Sequence, residues 1–223
     1  MGKTMPDNAN ALFTKLRILN AIDRPLDSLS VADICSKAGI SRQTFYNHFK
    51  SKYSIISWWS ECCEPIYLDK IGFQYSWEEG TLRHTRLIYS MQNVLGPALS
   101  HSRTQEFNEE TVARRRDRVL DALNRRNVHV DELMRFCVEL YAYEVTRTAT
   151  QIAKMNVSRN VGLVMSAKMG VATVPAPLYD ALQLPAYKDR SQSQGIASID
   201  ELAIHVLNEP EPDILTLLST PRP

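Results

Sequence analysis

Apolar residues recur at helical spacing along most of the chain. Leu12, Leu16 and Leu19 fall on one side of a predicted first helix over 8–22. Val31, Ile34, Cys35 and Ala38 share a face of the next, and Phe45 and Phe49, four apart, mark a short third. Ile55, Ile56, Trp58 and Trp59 sit in a fourth helix from Lys52 to about Tyr67, which Pro65 is expected to kink or end. Leu87, Ile88, Met91 and Leu95 define another over 78–95, broken by Gly96-Pro97. Residues 103–126 are very polar, with apolar positions at Phe107, Val112, Val119 and Leu123. Over 131–155, Met134, Val138, Tyr141, Val145, Thr148, Ile152 and Met155 are spaced 4, 3, 4, 3, 4, 3. Leu133, Phe136, Cys137 and Leu140 form a second apolar stripe on the same helix. One buried side needs one stripe, so two predict burial against the helix's own domain and against a partner. A central helix of a monomer would carry the same pattern.

The remainder is punctuated more heavily. Residues 157–174 are apolar with small residues and two glycines, and read as helix or as irregular structure. Pro175, Pro177 and Pro185 break up the next stretch, and 188–195 (KDRSQSQG) reads as a mobile loop. Ser198 to Glu201 caps a last helix through Leu207, with a further turn at 214–218. The pattern predicts an all-α fold without internal repeats.

Residues 30–53, SVADICSKAGISRQTFYNHFKSKY, carry the densest signals. Ser30 and Asp33 form an S-x-x-[DE] helix start, where a hydroxyl and a carboxylate satisfy free N–H groups. Gly39 stops that helix, since glycine accepts a left-handed backbone without penalty. Ile40 plugs the angle, Ser41 is a second N-cap, and Ser51 can cap a helix beginning at Lys52. Once Phe45 and Phe49 are taken inward, Arg42, Gln43, Thr44, Tyr46, Asn47, His48 and Lys50 are left exposed or partly so. Arginine and glutamine can pair with guanine and adenine edges, and threonine and tyrosine can reach a phosphate or a thymine methyl. No carboxylate that would repel DNA lies between Asp33 and Glu61. A packed helical hairpin with a polar surface would also fit helix–Gly–helix. Three capped helices, an acid-free helix after the turn and a basic flank favour DNA.

The segment resembles the DNA-binding domain of the TetR family of bacterial transcriptional regulators. The matching residues are Val31, Asp33, Ile34, Ala38, Gly39, Ile40, Ser41, Thr44, Phe45, Tyr46, His48, Phe49, Ser51 and Lys52. The resemblance covers about the first quarter of the chain. Arg24-Pro25-Leu26-Asp27 departs from the common pattern of glycine before an aromatic residue, and is closer to a branch with a Pro-Phe-Asp-like turn. The resemblance implies base-edge or groove contacts at Arg42, Gln43, Thr44 and Asn47. It implies phosphate contacts at Tyr46, His48 and Lys52, the last at the start of the following helix. Asn47 stands where the family often has a bulky or aromatic residue, so the operator sequence cannot be copied from a relative. The domains implied are 8–53 for DNA binding, a linking helix over about 52–67, and 68–218 for ligand binding and dimerisation through C-terminal helices.

The 223 residues can bury a sizeable core. The net charge of +1 by itself argues for no partner, but its distribution does. Residues 1–60 hold eight Lys/Arg against four Asp/Glu, so a basic head precedes a mildly acidic body. The Arg114-Arg115-Arg116 run reads as a solvated face pairing with Glu109, Glu110 and Asp117. Cys35, Cys62, Cys63 and Cys137 have no metal-ligand spacing, and a structural role in reduced, cytoplasmic surroundings fits them. Neither a signal peptide nor a segment long and apolar enough for a membrane is legible.

These readings predict a homodimeric regulator that binds a pseudo-palindromic double-stranded operator and is released by an unidentified small-molecule effector. No cofactor, metal site or catalytic residue is expected. A ligand-dependent activator of the same fold is the alternative, and a helical enzyme a more distant one. Polar or aromatic groups within apolar helices are the effector candidates: Trp59, His84, Tyr89, Tyr141, Glu144 and Arg147. Each could equally be core, dimer contact or surface, and Glu144 and Arg147, three apart, could simply pair. A non-specific architectural DNA protein is disfavoured by the near-neutral charge.

Overall fold

The computed structural model describes residues 9–91, 96, 104–154, 158–184 and 199–210. The expected loop at 188–195 and the turn at 214–218 lie outside them. Ten α-helices are present among the described residues. They are α1 (Ala9–Asn20), α2 (Val31–Ala38), α3 (Arg42–His48), α4 (Ser54–Tyr67), α5 (Trp77–Tyr89), α6 (Thr104–Arg125), α7 (Glu132–Lys154), α8 (Arg159–Ala172), α9 (Ala176–Leu182) and α10 (Ile199–Asn208). The described residues hold no strand, only an isolated bridge between Ile71 and Tyr75. The fold is all-α, as the periodicity predicts.

Helix starts follow local chemistry. The Asp131 carboxylate accepts from the Met134 amide at 2.8 Å and caps α7. Ser76 accepts from the Glu79 amide at 3.1 Å and caps α5. Two sequence expectations need correction. The fourth helix begins at Ser54, not Lys52, and Ser54 Oγ accepts from the Ser51 amide at 3.2 Å. Pro65 neither ends nor breaks that helix, which runs on to Tyr67. The open reading of 157–174 resolves to helix α8, with Thr173 as its C-cap.

Three apolar clusters form the interior. The first joins α1–α3 to α4, from Leu16 and Ile18 through Phe45 and Phe49 to Trp58, Trp59 and Cys63. The second gathers Ile71, Trp77, Leu123, Val138, Tyr141, Leu178 and Leu182. The third packs Leu82 of α5 against Leu163 and Ala167 of α8 and Leu202 and Val206 of α10. Gly72 sits at φ 80° in the turn before α5, and a Cβ there would come within 2.7 Å of the Leu182 carbonyl oxygen. Only glycine lets this turn close on α9. The four cysteines are all buried. No single helix among the described residues is long and apolar enough to cross a membrane.

His84 of α5 is buried against α4. Burial pushes its pKa down to about 3, Arg115 and Arg118 push the same way, and a hydrogen bond to the Cys63 backbone opposes them. An unfolded histidine takes up a proton near pH 6.5, well before the folded one. Stability carried by the neutral imidazole is therefore complete above that pH and is lost as pH falls toward 3. Between pH 7 and 5 the expected loss is about 2 kcal/mol, and His84→Gln should remove it from the pH dependence of urea unfolding. An identical pH dependence in the variant would refute this role.

Candidate nucleic-acid interface

Helix α2 starts with a complete capping box. The Asp33 amide donates to Ser30 Oγ at 3.1 Å, and the Ser30 amide donates to the Asp33 carboxylate at 2.9 Å. These bonds from Ser30 hold the Asp33 carboxyl below its usual pKa. Gly39 ends the helix in the left-handed region at φ 63°. Arg17 of α1 reaches this turn and donates to the Ala38 carbonyl at 2.5 Å and the Gly39 carbonyl at 3.3 Å. The angle between α2 and α3 is thus fixed from outside the motif.

Ser41 caps α3, accepting from the Thr44 amide at 2.9 Å, and its hydroxyl lies 2.8 Å from that of Thr44. Phe45 is wholly buried and Phe49 nearly so. Phe49 meets Trp58 of α4 edge-on at 5.7 Å, which ties the short helix to the one leading into the body. With the phenylalanines inward, Arg42, Gln43, Tyr46 and Asn47 are exposed, while Thr44 and His48 are half-buried. Gln43 Nε2 donates to Asn47 Oδ1 at 3.1 Å across one helical turn. That bond leaves the Gln43 carbonyl as an acceptor and the Asn47 amide as a donor on one face.

Beside this face lies an open groove of about 410 Å³ lined by Ser30, Val31, Tyr46, Lys50, Lys52 and Tyr53, among others. Its hydroxyls, the Lys50 ammonium and its position at the start of α2 suit a phosphate oxygen. The groove adds Tyr53 to the residues the sequence pattern singles out. It follows Lys52 directly, but its place beside the α2 N-terminus depends on the α2–α4 arrangement. Lys52 itself is engaged elsewhere. Its ammonium donates to the carbonyls of Leu26 at 2.9 Å, Asp27 at 3.0 Å and Leu29 at 2.8 Å. An ammonium has three donors, and these three carbonyls take them. Lys52 lies in the turn before α4 and fastens the 26–29 segment, where the chain departs from the common turn pattern.

Residues 21–57 match the model of the bacterial regulatory proteins of the tetR family. By this match, α2 and α3 form a helix-turn-helix DNA-binding domain of the TetR type. Among solved structures, ligand-free RolR aligns over 92% of this chain and 99% of its own, at 16% identity and a TM-score of 0.43. RolR in complex with the ligand resorcinol aligns over 92% and 98%, at 16% identity and a TM-score of 0.42. No curated protein matches the chain.

The TetR-family helix-turn-helix gives Lys52 a testable role. Lys52→Met should cost about 1.5–3 kcal/mol of stability, the worth of hydrogen bonds to a charged donor. The dependence of DNA affinity on salt should stay nearly unchanged. A drop of about one unit in the log–log salt slope would instead place the ammonium on a phosphate.

The six effector candidates scatter. Tyr141 is buried and lines a small cleft with Glu64 of α4 and Arg115 of α6. Trp59 lies in the first core cluster, and its buried indole N–H has no hydrogen-bond partner among the described residues. Tyr89 meets Ser166 of α8, hydroxyl to hydroxyl, at 3.3 Å. His84 packs against α4, within electrostatic reach of Arg115 and Arg118 of α6. Arg147 lies 3.5 Å from Glu144, and Arg147 lines an open groove of about 430 Å³ between α6 and α7. The arginine run on α6 corrects the sequence reading. Only Arg116 pairs at the surface, with Asp117 at 3.0 Å and Glu139 at 3.8 Å. Arg114 and Arg115 turn inward to Glu64 of α4, at 3.2 and 3.6 Å, and Arg118 joins them at 3.2 Å. Glu64 has no solvent exposure.

Proposed function

We propose that the chain acts as a homodimeric, effector-responsive transcriptional regulator in the cytoplasm, a repressor that leaves a pseudo-palindromic operator when a small molecule binds its body. The observation that carries the dimer is the outer face of α7. Leu133 is 59% exposed, Phe136 64%, Leu140 41% and Tyr143 56%. Their spacing of 3, 4, 3 is that of a helix–helix seam, and the opposite side of α7 is already filled by Val138, Tyr141 and Ala142. A second copy supplies the same face by symmetry. It would set two α3 helices into successive major grooves, about 34–36 Å apart.

Arg42, Gln43, Thr44 and Asn47 then read base edges, while Tyr46 and His48 anchor phosphates beside Lys50 and Tyr53. The acceptor of Gln43 and the donor of Asn47 form a pair complementary to an adenine edge. The effector acts through its preference for one separation of the two heads. Selection of bound sites from random DNA, with the mass of the free protein measured, tests the reading. Two inverted half-sites and a dimer mass support it; random sequences or a monomer overturn it. Arg42→Ala or Gln43→Ala should each cost about 1–3 kcal/mol on the selected site and relax preference at one base pair. Equal losses on selected and random DNA would rule out base reading. A reporter gene under the selected site separates the repressor from the alternative, an activator: expression should rise when the regulator is deleted.

A further inference from the structure

Gln43 and Asn47 stand in the first and last turns of α3, one helical turn apart and both exposed. Their amides are joined at 3.1 Å, Gln43 Nε2 donating to Asn47 Oδ1. The bond is internal to α3, so the two side chains meet DNA already oriented. A primary amide carries two N–H donors and an oxygen with two lone pairs. The mutual bond takes up one donor of Gln43 and one lone pair of Asn47. Gln43 Oε1 remains as an acceptor and the Asn47 Nδ2 hydrogens as donors. Turning both amides over exchanges the roles of the two residues and leaves the same set. Tyr46, three residues after Gln43, shares this side of the helix and lines the groove with Lys50. A phosphate held there fixes the approach of α3 to the bases, and with it the register of the pair.

An acceptor beside a donor complements an adenine edge, where the N6 amino group donates and N7 accepts. Guanine presents two acceptors, and thymine an acceptor and a methyl group, so both would leave the Gln43 oxygen without a donor. Cytosine presents a donor with no acceptor beside it on the same base. The adenine amino group has two hydrogens: one pairs with thymine, and only the other faces the major groove. We infer that Gln43 and Asn47 act as one reading unit for a single adenine, and that this unit makes DNA binding sensitive to methylation of that adenine at N6. In a base-paired N6-methyladenine the remaining hydrogen stays on thymine, so the methyl group replaces the hydrogen that Gln43 accepts. The Gln43 oxygen is then desolvated against carbon with no donor to meet it. The methyl group leaves the contacts of Arg42 and the phosphate anchors untouched. It is therefore a chemical mark that this face of α3 can tell apart from the plain base. The inference rests on the base-reading role proposed for α3.

Titrations of the full chain on a site selected from random DNA test it. The adenine at which Gln43→Ala relaxes preference is replaced in both half-sites by N6-methyladenine or by 7-deazaadenine, which lacks the N7 acceptor. A site methylated at an adenine outside the half-sites is the control. Methylation should weaken binding about tenfold or more per half-site, within the range for one bidentate base contact, and the control should bind as the plain site does. The 7-deaza base should weaken binding as well. Gln43→Ala and Asn47→Ala should relax preference at the same base pair, with non-additive losses. The double variant should bind methylated and plain sites alike. Alanine is the best helix former and both positions are exposed, so these variants keep α3. Equal affinity of the unaltered protein for methylated and plain sites overturns the inference. So does full affinity for the 7-deaza site, or a Gln43-dependent base pair other than A·T. Preferences relaxed at two different base pairs would make the amides separate readers and overturn it too. Specific binding that ignores methylation sinks this inference alone, whereas random sequences from the selection sink the operator reading and this inference with it.

Discussion

Glu64→Ala should lower the unfolding free energy by about 3–5 kcal/mol, the cost of breaking a buried ion cluster by removing one partner. Glu64 is fully buried and faces three guanidinium groups, Arg114 at 3.2 Å, Arg115 at 3.6 Å and Arg118 at 3.2 Å. Removing the carboxylate leaves Arg115, itself only 7% exposed, with its charge uncompensated and only the hydroxyl of Thr146, at 2.8 Å, as a partner. Arg118 keeps Asp69 at 2.5 Å, and Arg114 keeps part of its solvent, so Arg115 should carry most of the penalty. Urea unfolding measures the loss. A double-mutant cycle with Arg115→Ala should show the two changes to be non-additive by about 1 kcal/mol or more, as for other directly contacting residues. Additive losses, or a single-variant cost below about 1 kcal/mol, would show that Glu64 and Arg115 do not stabilise each other.

That cluster marks where the sequence stops being legible. Residues 30–53 could be read because each signal is local: Ser30 with Asp33, Gly39 at the turn, Ser41 with Thr44, Phe45 with Phe49. All lie within one or two helical turns, and the structure keeps them. Glu64 and Arg114, by contrast, are 50 residues apart, and only the packing of α4 on α6 brings them together. A sequence rule sees three arginines near Glu109, Glu110 and Asp117 and pairs them locally, which is right for Arg116 alone. Lys52 is the same case at shorter range. Its motif position suggests a phosphate, but the carbonyls it fastens are 23–26 residues upstream. Periodicity located α7 and its two stripes because both are properties of one helix. Which stripe faces outward depended on where α6, α8 and α9 pack.

Phe136→Asp combined with Leu140→Asp should convert the protein to a monomer and weaken operator binding by about 10²–10⁴-fold, the avidity lost when two linked heads become independent. Both side chains are largely exposed on a single chain, at 64% and 41%, so the charges cost little within the monomer. At a two-fold interface each substitution enters twice, and a carboxylate would be buried without a partner. Cys137, between them, points into the second core cluster and should be left undisturbed. Binding to a single half-site should be unchanged, because α3 and its caps lie in the first cluster, away from α7. Sedimentation velocity and half-site against full-site titrations read the two effects separately. A dimer that survives both aspartates would move the interface off this face of α7. A monomer that still binds the full site at the original affinity would show that operator recognition does not depend on a preformed pair.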